Sequence, residues 1–345
     1  MHTKTHILVI RLSAMGDVAM TVPVIRAFVQ QHPSVKITFL SKPFLTPLFE
    51  DIPNVSFYAA DVMGKHKGFP GLLRLHKELK NLGVTHVADL HNVLRSKILR
   101  LNFKLSGFKV AYIDKGRAEK KALTRSKNKV FKQLKTSHQR YADVFESLGF
   151  LVGLDNPAPV SRSTLSKKSL ALTGEKQGKW VGIAPFAAFD GKTYPLRLME
   201  EVISQIQENN VRLFLFGGGE KEIALLRDIE NKFSNVLNLA GTLSLKDELN
   251  VISQLDLMVS MDSGNAHLAA MQQVKTVTIW GVTHPYAGFA PFKQPLDYCV
   301  LPDLKKYPGI PCSIYGNKVY PGYENVMASI HPSVISAKIK TILDI

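Results

Sequence analysis

Asp17 stands where a carboxylate can do chemistry. It follows the apolar run Ile7-Leu8-Val9-Ile10-Arg11-Leu12 and the short stretch Ser13-Ala14-Met15-Gly16. Val18, Val22, Ile25 and Val29 then recur at helical spacing. The pattern is a buried strand, a tight turn and a helix that opens on an acid. In open α/β sheets, ligands bind in the turn after a strand. An acid there, beside a glycine that lets a substrate approach the backbone, is placed to act as a base. It is equally placed to serve only as a helix cap, and this segment leaves both roles open.

A second group lies far along the chain. The strand-like run Leu257-Met258-Val259-Ser260 leads into Met261-Asp262-Ser263-Gly264-Asn265-Ala266-His267, then Leu268–Met271 and a further strand, Thr276–Trp280. Asp-Ser-Gly therefore opens a short helix at a strand end, where free N–H groups and the helix dipole form an anion site, most often for phosphate. After the run Trp180–Ala184 comes a loop carrying Lys192, ahead of Pro195 in the first turn of the next helix. An ammonium there would neutralise a leaving phosphate; the alternative is a loop lysine in water. After Phe214-Leu215-Phe216 comes Gly217-Gly218-Gly219-Glu220. Such a turn lets a nucleotide lie against the backbone, with Glu220 accepting from ribose hydroxyls, or it is simply structural. No G-x-G-x-x-G follows any strand, which argues against a nicotinamide dehydrogenase.

These residues need a scaffold of strand ends. Strands are expected at Ile7–Leu12, Val35–Leu40, Val55–Tyr58, Thr85–Asp89 and Lys109–Ile113, with helices near Val18–Gln31, Gly71–Leu82 and Val93–Lys104. A polar stretch with Gly and Pro from Gly153 to Gly178 reads as a linker. The alternation restarts with Trp180–Ala184, helix Leu196–Asn209, Arg212–Phe216, helix Glu220–Phe233, Val236–Leu239, helix Leu245–Gln254, Leu257–Ser260 and Thr276–Trp280. A last helix is expected at Val334–Leu343. Alternating strands and helices imply α/β domains with parallel sheets.

Composition narrows the partners. At 345 residues the chain has room for two cored domains. Its two cysteines, Cys299 and Cys312, are too few for a disulfide scaffold and lack metal-ligand spacing. No secretory signal or membrane-spanning run is visible, so the cytoplasm is the expected compartment. The net charge of +16 calls for an anionic partner. Ten cations lie between Lys115 and Arg140 against one acid, Glu119. With Phe131 as its one aromatic, this run lacks the stacking residues of a nucleic-acid binder. It reads as a solvated loop or as an electrostatic funnel for a polyanionic substrate at a membrane face, followed by a helix starting at Ser137.

The chain resembles the bacterial ADP-heptose:lipopolysaccharide heptosyltransferases, the family 9 glycosyltransferases, over nearly its whole length. The resemblance is carried by Ile10–Asp17 with Pro23, by Asp89-Leu90-His91-Asn92-Val93-Leu94-Arg95-Ser96, and by Ser137-His138-Gln139-Arg140-Tyr141. It is carried further by Asp262–Ala270, Trp280-Gly281-Val282-Thr283-His284-Pro285 and Pro311-Cys312-Ser313-Ile314-Tyr315-Gly316. The sequence departs from many members in having Ser263-Gly264-Asn265 where they carry Thr-Gly-Leu or Thr-Gly-Pro, and in having fewer cysteines near the C-terminus.

The resemblance implies a GT-B architecture of two Rossmann-like domains facing across a cleft. Residues 1–155 would hold the acceptor, 156–178 would form the linker, 179–330 would hold the nucleotide sugar, and 331–345 would form the last helix. It implies an inverting transfer with Asp17 as base, and no cofactor or metal for the chemistry. On the donor side it implies Lys192 at the phosphates, Asp262, Ser263 and Gly264 as the donor turn, Glu220 with Gly217 and Gly218 at the adenosine, and His267 as a support of the turn. On the acceptor side it implies Ser13, Met15, Gly16, Arg95, Lys120, Lys121, His138 and Arg140. The expected partners are an ADP-sugar, an anionic lipid-linked saccharide and the inner face of the cytoplasmic membrane, with the protein a monomer. Other readings are a related GT-B transferase, a non-catalytic nucleotide-sugar binder, or a sugar-nucleotide epimerase. Asp17 with Lys192 speaks against a binding module, and the basic run against an epimerase.

Overall fold

The computed structural model describes residues 5–207 and 210–345. The alternation of apolar runs and amphipathic helices builds two parallel sheets in two compact units, one of residues 1–115 with 137–159 and the other of 116–136 with 160–345.

In the first unit the strands are β1 (His6–Ile10), β2 (Lys36–Ser41), β3 (Val55–Ala59), β4 (His86–Asp89) and β5 (Lys109–Tyr112). Their order is β3-β2-β1-β4-β5, every pair parallel. β1 is therefore the strand from which connections leave in opposite directions, and the crevice beyond its C-terminal end is the ligand position of such sheets. Ile10 pairs with Leu40 on one side and with Asp89 on the other. One face of the sheet is covered by helices Gly68–Lys80 and Leu94–Leu105, which bury Leu72, Leu75, Leu79, Leu99 and Phe103 against Leu8 and Ile10. The single helix expected over Val18–Gln31 is two, Met15–Ala19 and Val22–Gln31. Pro23 sits in the first turn of the second, where its missing N–H costs nothing; farther into a continuous helix it would break the ladder.

The second unit contains β6 (Lys179–Ala184), β7 (Val211–Leu215), β8 (Val236–Asn238), β9 (Leu257–Met261), β10 (Lys275–Ile279) and β11 (Cys299–Val300). Their order is β11-β10-β9-β6-β7-β8, again all parallel. Here β6 and β9 are neighbours at the reversal point, so the loops after them emerge side by side. The expected helix Leu196–Asn209 ends at Gln205, and Asn209 lies outside the described residues. The last helix, Pro332–Leu343, packs on helix Leu196–Gln205, with Ser336 Oγ donating to Gln205 Oε1 at 2.6 Å.

Two parts of the expected organisation are corrected. The linker holds a helix, Lys167–Thr173, whose N-cap Ser166 accepts from Ser169 N–H at 3.1 Å. More consequential is that residues 116–136, expected within the N-terminal domain of residues 1–155, pack with the second unit. Helix Arg117–Thr124 and the irregular stretch after it bury Leu123 and Leu134 against Ala287, with Tyr286, Phe289 and Ile314 around them. The Leu134 N–H donates to Tyr286 O at 2.9 Å. Apolar contact, not position in the chain, decides where the segment belongs.

Candidate active site

In the first unit, Asp17 is the third residue of helix Met15–Ala19, not its N-cap; that position belongs to Ala14. One carboxylate oxygen, Oδ2, takes both of its contacts. It pairs with the Arg11 guanidinium at 2.6 Å and accepts from the Ala14 N–H at 3.3 Å. Oδ1 has no partner among the described residues. Capping and base are thus compatible, each using a different oxygen.

A nested set of bonds fixes Arg11. Its Nη1 donates to Leu90 O at 2.7 Å, and its guanidinium lies 5.9 Å from the centre of the buried Tyr141 ring. Tyr141 reaches back to Asp17 O at 3.4 Å. The loop holding Leu90 is organised by fully buried Asp89, whose Oδ1 accepts from the His91 and Asn92 N–H groups at 2.9 and 2.8 Å. Its Oδ2 pairs with Arg100 at 3.1 Å. His91 is held neutral: burial, with Arg11 and Lys115 nearby, pushes its pKa down to about 3. Its Nδ1 then accepts from Leu12 N–H at 3.4 Å. The Asp89–Asn92 segment, noted in the sequence without a role, is the support of the Asp17 turn.

In the second unit, Lys192 follows β6 and Asp262 follows β9. Lys192 Nζ lies 3.3 Å from Asp262 Oδ2, both side chains being largely buried. Thr283 Oγ1 donates to the same oxygen at 3.0 Å. Ser263 caps helix Gly264–Met271 by position, but its side chain makes no cap bond and instead meets Ser260 Oγ at 3.1 Å. The first-turn N–H groups of that helix are therefore left for an anion. His267 is buried within the helix. Three glycines let the loops close around Lys192. A side chain on Gly281 would strike Gly191 O and Met327, and one on Gly191 would meet Val282 at 2.7 Å. Gly316, at φ +85°, would run into the Lys192 stem at 2.9 Å. The Trp280–Pro285 motif thereby acquires its reasons: Gly281 permits close approach, Thr283 orients Asp262, and His284 Nδ1 accepts from Tyr286 N–H at 3.1 Å. Burial and Lys129 bring the pKa of His284 down to about 4, leaving that nitrogen an acceptor.

The glycine turn after β7 is present, with Gly219 at φ +83°. Gly218 is open to solvent, and a side chain on Gly217 would press on Leu226 and Glu222 at 3.0 and 3.1 Å. Glu220 is exposed at the helix start. The acid that engages the turn is Glu222, which accepts from Gly218 N–H at 2.8 Å. Glu248, missed in the sequence, sits in the first turns of helix Leu245–Gln254, after β8. Burial lifts its carboxyl to about 7. Nothing in the local pattern Lys246-Asp247-Glu248 marks one acid as the buried one.

The acceptor-side expectations divide. Ser13, Met15 and Gly16 form the partly exposed turn around Asp17, and Arg95 is partly exposed. Arg140 and His138 are buried in helix Ser137–Glu146, and Arg140 donates to Asp114 O at 3.3 Å. Lys120 is buried too, its ammonium 4.2 Å from the Phe289 ring centre. All three are buried, whereas Lys121 is exposed. Lys129, also part of the basic run, spends its ammonium on Gly309 O and Pro311 O.

The two parallel sheets, each with its crevice at a strand reversal, make up an α/β fold of the GT-B kind. The model of glycosyltransferase family 9 (heptosyltransferase) matches residues 72–310, and the chain belongs to that family. The match includes Lys192, Asp262 and Thr283 and begins after Asp17. Among similar proteins, the lipopolysaccharide core heptosyltransferase OpsX of Haemophilus influenzae is 24% identical over 283 residues, covering 80% of this chain and 79% of that protein. Lipooligosaccharide heptosyltransferase 2 of Campylobacter jejuni is 23% identical over 274 residues, covering 78% of each. Among solved structures, a family 9 glycosyl transferase of Veillonella parvula superimposes with a TM-score of 0.75 at 17% identity, covering 99% of this chain and 98% of that one. The E. coli heptosyltransferase WaaC with ADP gives 0.68 at 15% identity, covering 98% and 100%. At these identities the structural likeness concerns the fold. No helix among the described residues is long and apolar enough to cross a membrane.

Proposed function

We propose that the chain transfers a heptose from ADP-heptose to the inner core of a lipopolysaccharide precursor, with inversion at the anomeric carbon. Membership of a family of heptosyltransferases carries this reading, and the relatives named for lipopolysaccharide core and lipooligosaccharide transfer support the acceptor class. Asp17 Oδ1 takes the proton of the acceptor hydroxyl as the hydroxyl oxygen attacks C1 of the sugar. Arg11 holds the other oxygen and so aims the carboxylate. The C1–O bond to the diphosphate breaks with its electron pair leaving on the phosphate oxygen. Lys192 and the N–H groups opening helix Gly264–Met271 neutralise that charge. Asp262 Oδ2, tied to Lys192 and Thr283, is a positioning group; its Oδ1 is left for sugar hydroxyls. The adenosine lies on the Gly217–Gly219 turn, where Glu220 is the exposed acid for the ribose. The chemistry proposed uses no metal or cofactor.

The test is a transfer assay with purified protein, ADP-heptose and Kdo-lipid A or heptosylated core, scored by the mass of the product and the anomeric configuration of the new linkage. Heptose addition with inversion, together with thermal stabilisation by ADP-heptose but not by UDP- or GDP-sugars, is the expected result. Stabilisation by UDP-sugars alone, or a retained configuration, would overturn it.

A further inference from the structure

Helix Leu94–Leu105 is apolar on two opposite faces. Ser96, Leu99 and Phe103 are buried against the first sheet. Leu94, Leu101 and Leu105 point the other way and are 75%, 53% and 78% exposed. They occupy positions i, i+7 and i+11 on the outside of the helix, while Ile98 at i+4 is half-buried and packs against the core. Scattered exposed leucines are ordinary, but an aligned row of them is not. The helix also carries Arg95, Lys97, Arg100 and Lys104 and no acid. Arg100 is taken by Asp89 and lies over the Tyr112 ring. Lys97 and Lys104 are exposed along one edge of the leucine stripe. The adjoining helix Gly68–Lys80, packed on it through His76 and Phe103, adds exposed Phe69 and Leu73 with Lys77 and Lys80.

We infer that the outer face of helix Leu94–Leu105 is a docking surface for an anionic lipid bilayer, the leucines entering the headgroup boundary and the lysines resting on the phosphates. An amphipathic helix with an apolar stripe bordered by lysine is what such an interface takes up. A second copy of the chain is the less suitable occupant, because it would set this acid-free helix against another of the same charge. The inference goes beyond sugar transfer and stands without it. It also places membrane contact on the first unit's helices, whereas the sequence suggested the basic run.

The experiment is co-sedimentation of the full chain with phosphatidylglycerol–phosphatidylcholine vesicles and with pure phosphatidylcholine vesicles, at low and physiological salt. The wild type should partition onto the anionic vesicles and leave them as salt rises. Leu101→Gln with Leu105→Gln should reduce that partition at least tenfold while circular dichroism and the thermal midpoint stay unchanged, both sites being exposed. Lys97→Gln with Lys104→Gln should flatten the salt dependence. Equal binding by the leucine variant, or loss of binding only in Lys121→Gln with Lys127→Gln, overturns the inference. So does a concentration-dependent dimer in sedimentation equilibrium that the leucine variant abolishes.

Discussion

Arg11 and Asp17 form an ion pair of 2.6 Å whose two members differ sharply in exposure, the guanidinium side chain at 7% and the carboxylate at 33%. The cation is fixed from behind by Leu90 O, so the acid is held from the protein side and offered to solvent by its other oxygen. Asp17→Asn preserves shape and should leave ADP-sugar binding unchanged while turnover falls roughly 10²–10⁴-fold, the usual worth of a general base. Turnover within threefold of wild type would reduce Asp17 to its capping bond with Ala14.

Arg11→Lys keeps the charge but cannot span Leu90 O and Asp17 with one rigid fork. Turnover should drop by about tenfold or more through misplacement of the base, with the KM for donor unmoved. A change confined to the donor KM would show that Arg11 does not act through Asp17.

Lys192→Ala removes charge from both the bound diphosphate and the departing one. Donor affinity and kcat should fall together, by about 1.5–3 kcal/mol for a charge-assisted contact. Thr283→Val should follow in the same direction with a smaller loss, since it loosens only the Asp262 carboxylate that holds the lysine. If Lys192→Ala alters only the apparent affinity for acceptor, its place on the donor side is wrong.

Lys129 and Lys121 belong to one basic run and should behave differently. Burial lowers the Lys129 pKa, and its ammonium serves two carbonyls. Lys129→Gln should cost about 1–3 kcal/mol of stability, whereas exposed Lys121→Gln should stay within about 0.5 kcal/mol. Equal thermal midpoints for the two variants would contradict the anchoring described for this segment.

Glu248 gives a stability that depends on pH. Its folded pKa of about 7 lies above the ordinary 4.5, so the folded chain holds the proton more tightly than the unfolded one. Stability contributed by the protonated form is complete below 4.5 and is lost as pH rises through 7. Glu248→Gln, fixed in the neutral shape, should therefore gain on wild type by about 2–3 kcal/mol between pH 5 and pH 8.5 in paired denaturation curves. Parallel curves at the two pH values would show an accessible, ordinary carboxyl.

The strand–helix alternation made both sheets legible, because buried parallel strands such as Leu257–Met261 are largely apolar runs between helical periods. The loops after β1, β6 and β9 were legible for the same reason, since a parallel sheet puts its ligand sites at strand ends. Helix Arg117–Thr124 was not: its residues are mostly polar, and Leu123 alone gives no periodicity. Its packing with the second unit depends on Leu123 and Leu134 finding Ala287, more than 150 residues away in sequence. The choice of Glu222 over Glu220 at the glycine turn depends on side-chain reach within one helical turn, which spacing does not encode.

The chain leaves its first unit at Lys115, completes part of the second, returns at Ser137 and leaves for good after Pro159. The two units are therefore interlaced along the polypeptide and cannot be parted by one cut. A fragment ending at Pro159 would carry Leu123 and Leu134 with nothing to cover them, and a fragment starting at Val160 would lack the cover of Ala287 and the ammonium that binds Gly309 and Pro311. On the ribosome, residues 116–136 must wait for the chain beyond Pro311 before they have a place to settle. The first unit can close around that excursion while synthesis continues, so maturation of the second unit is the later event and the stage at which exposed basic and apolar surface coexist.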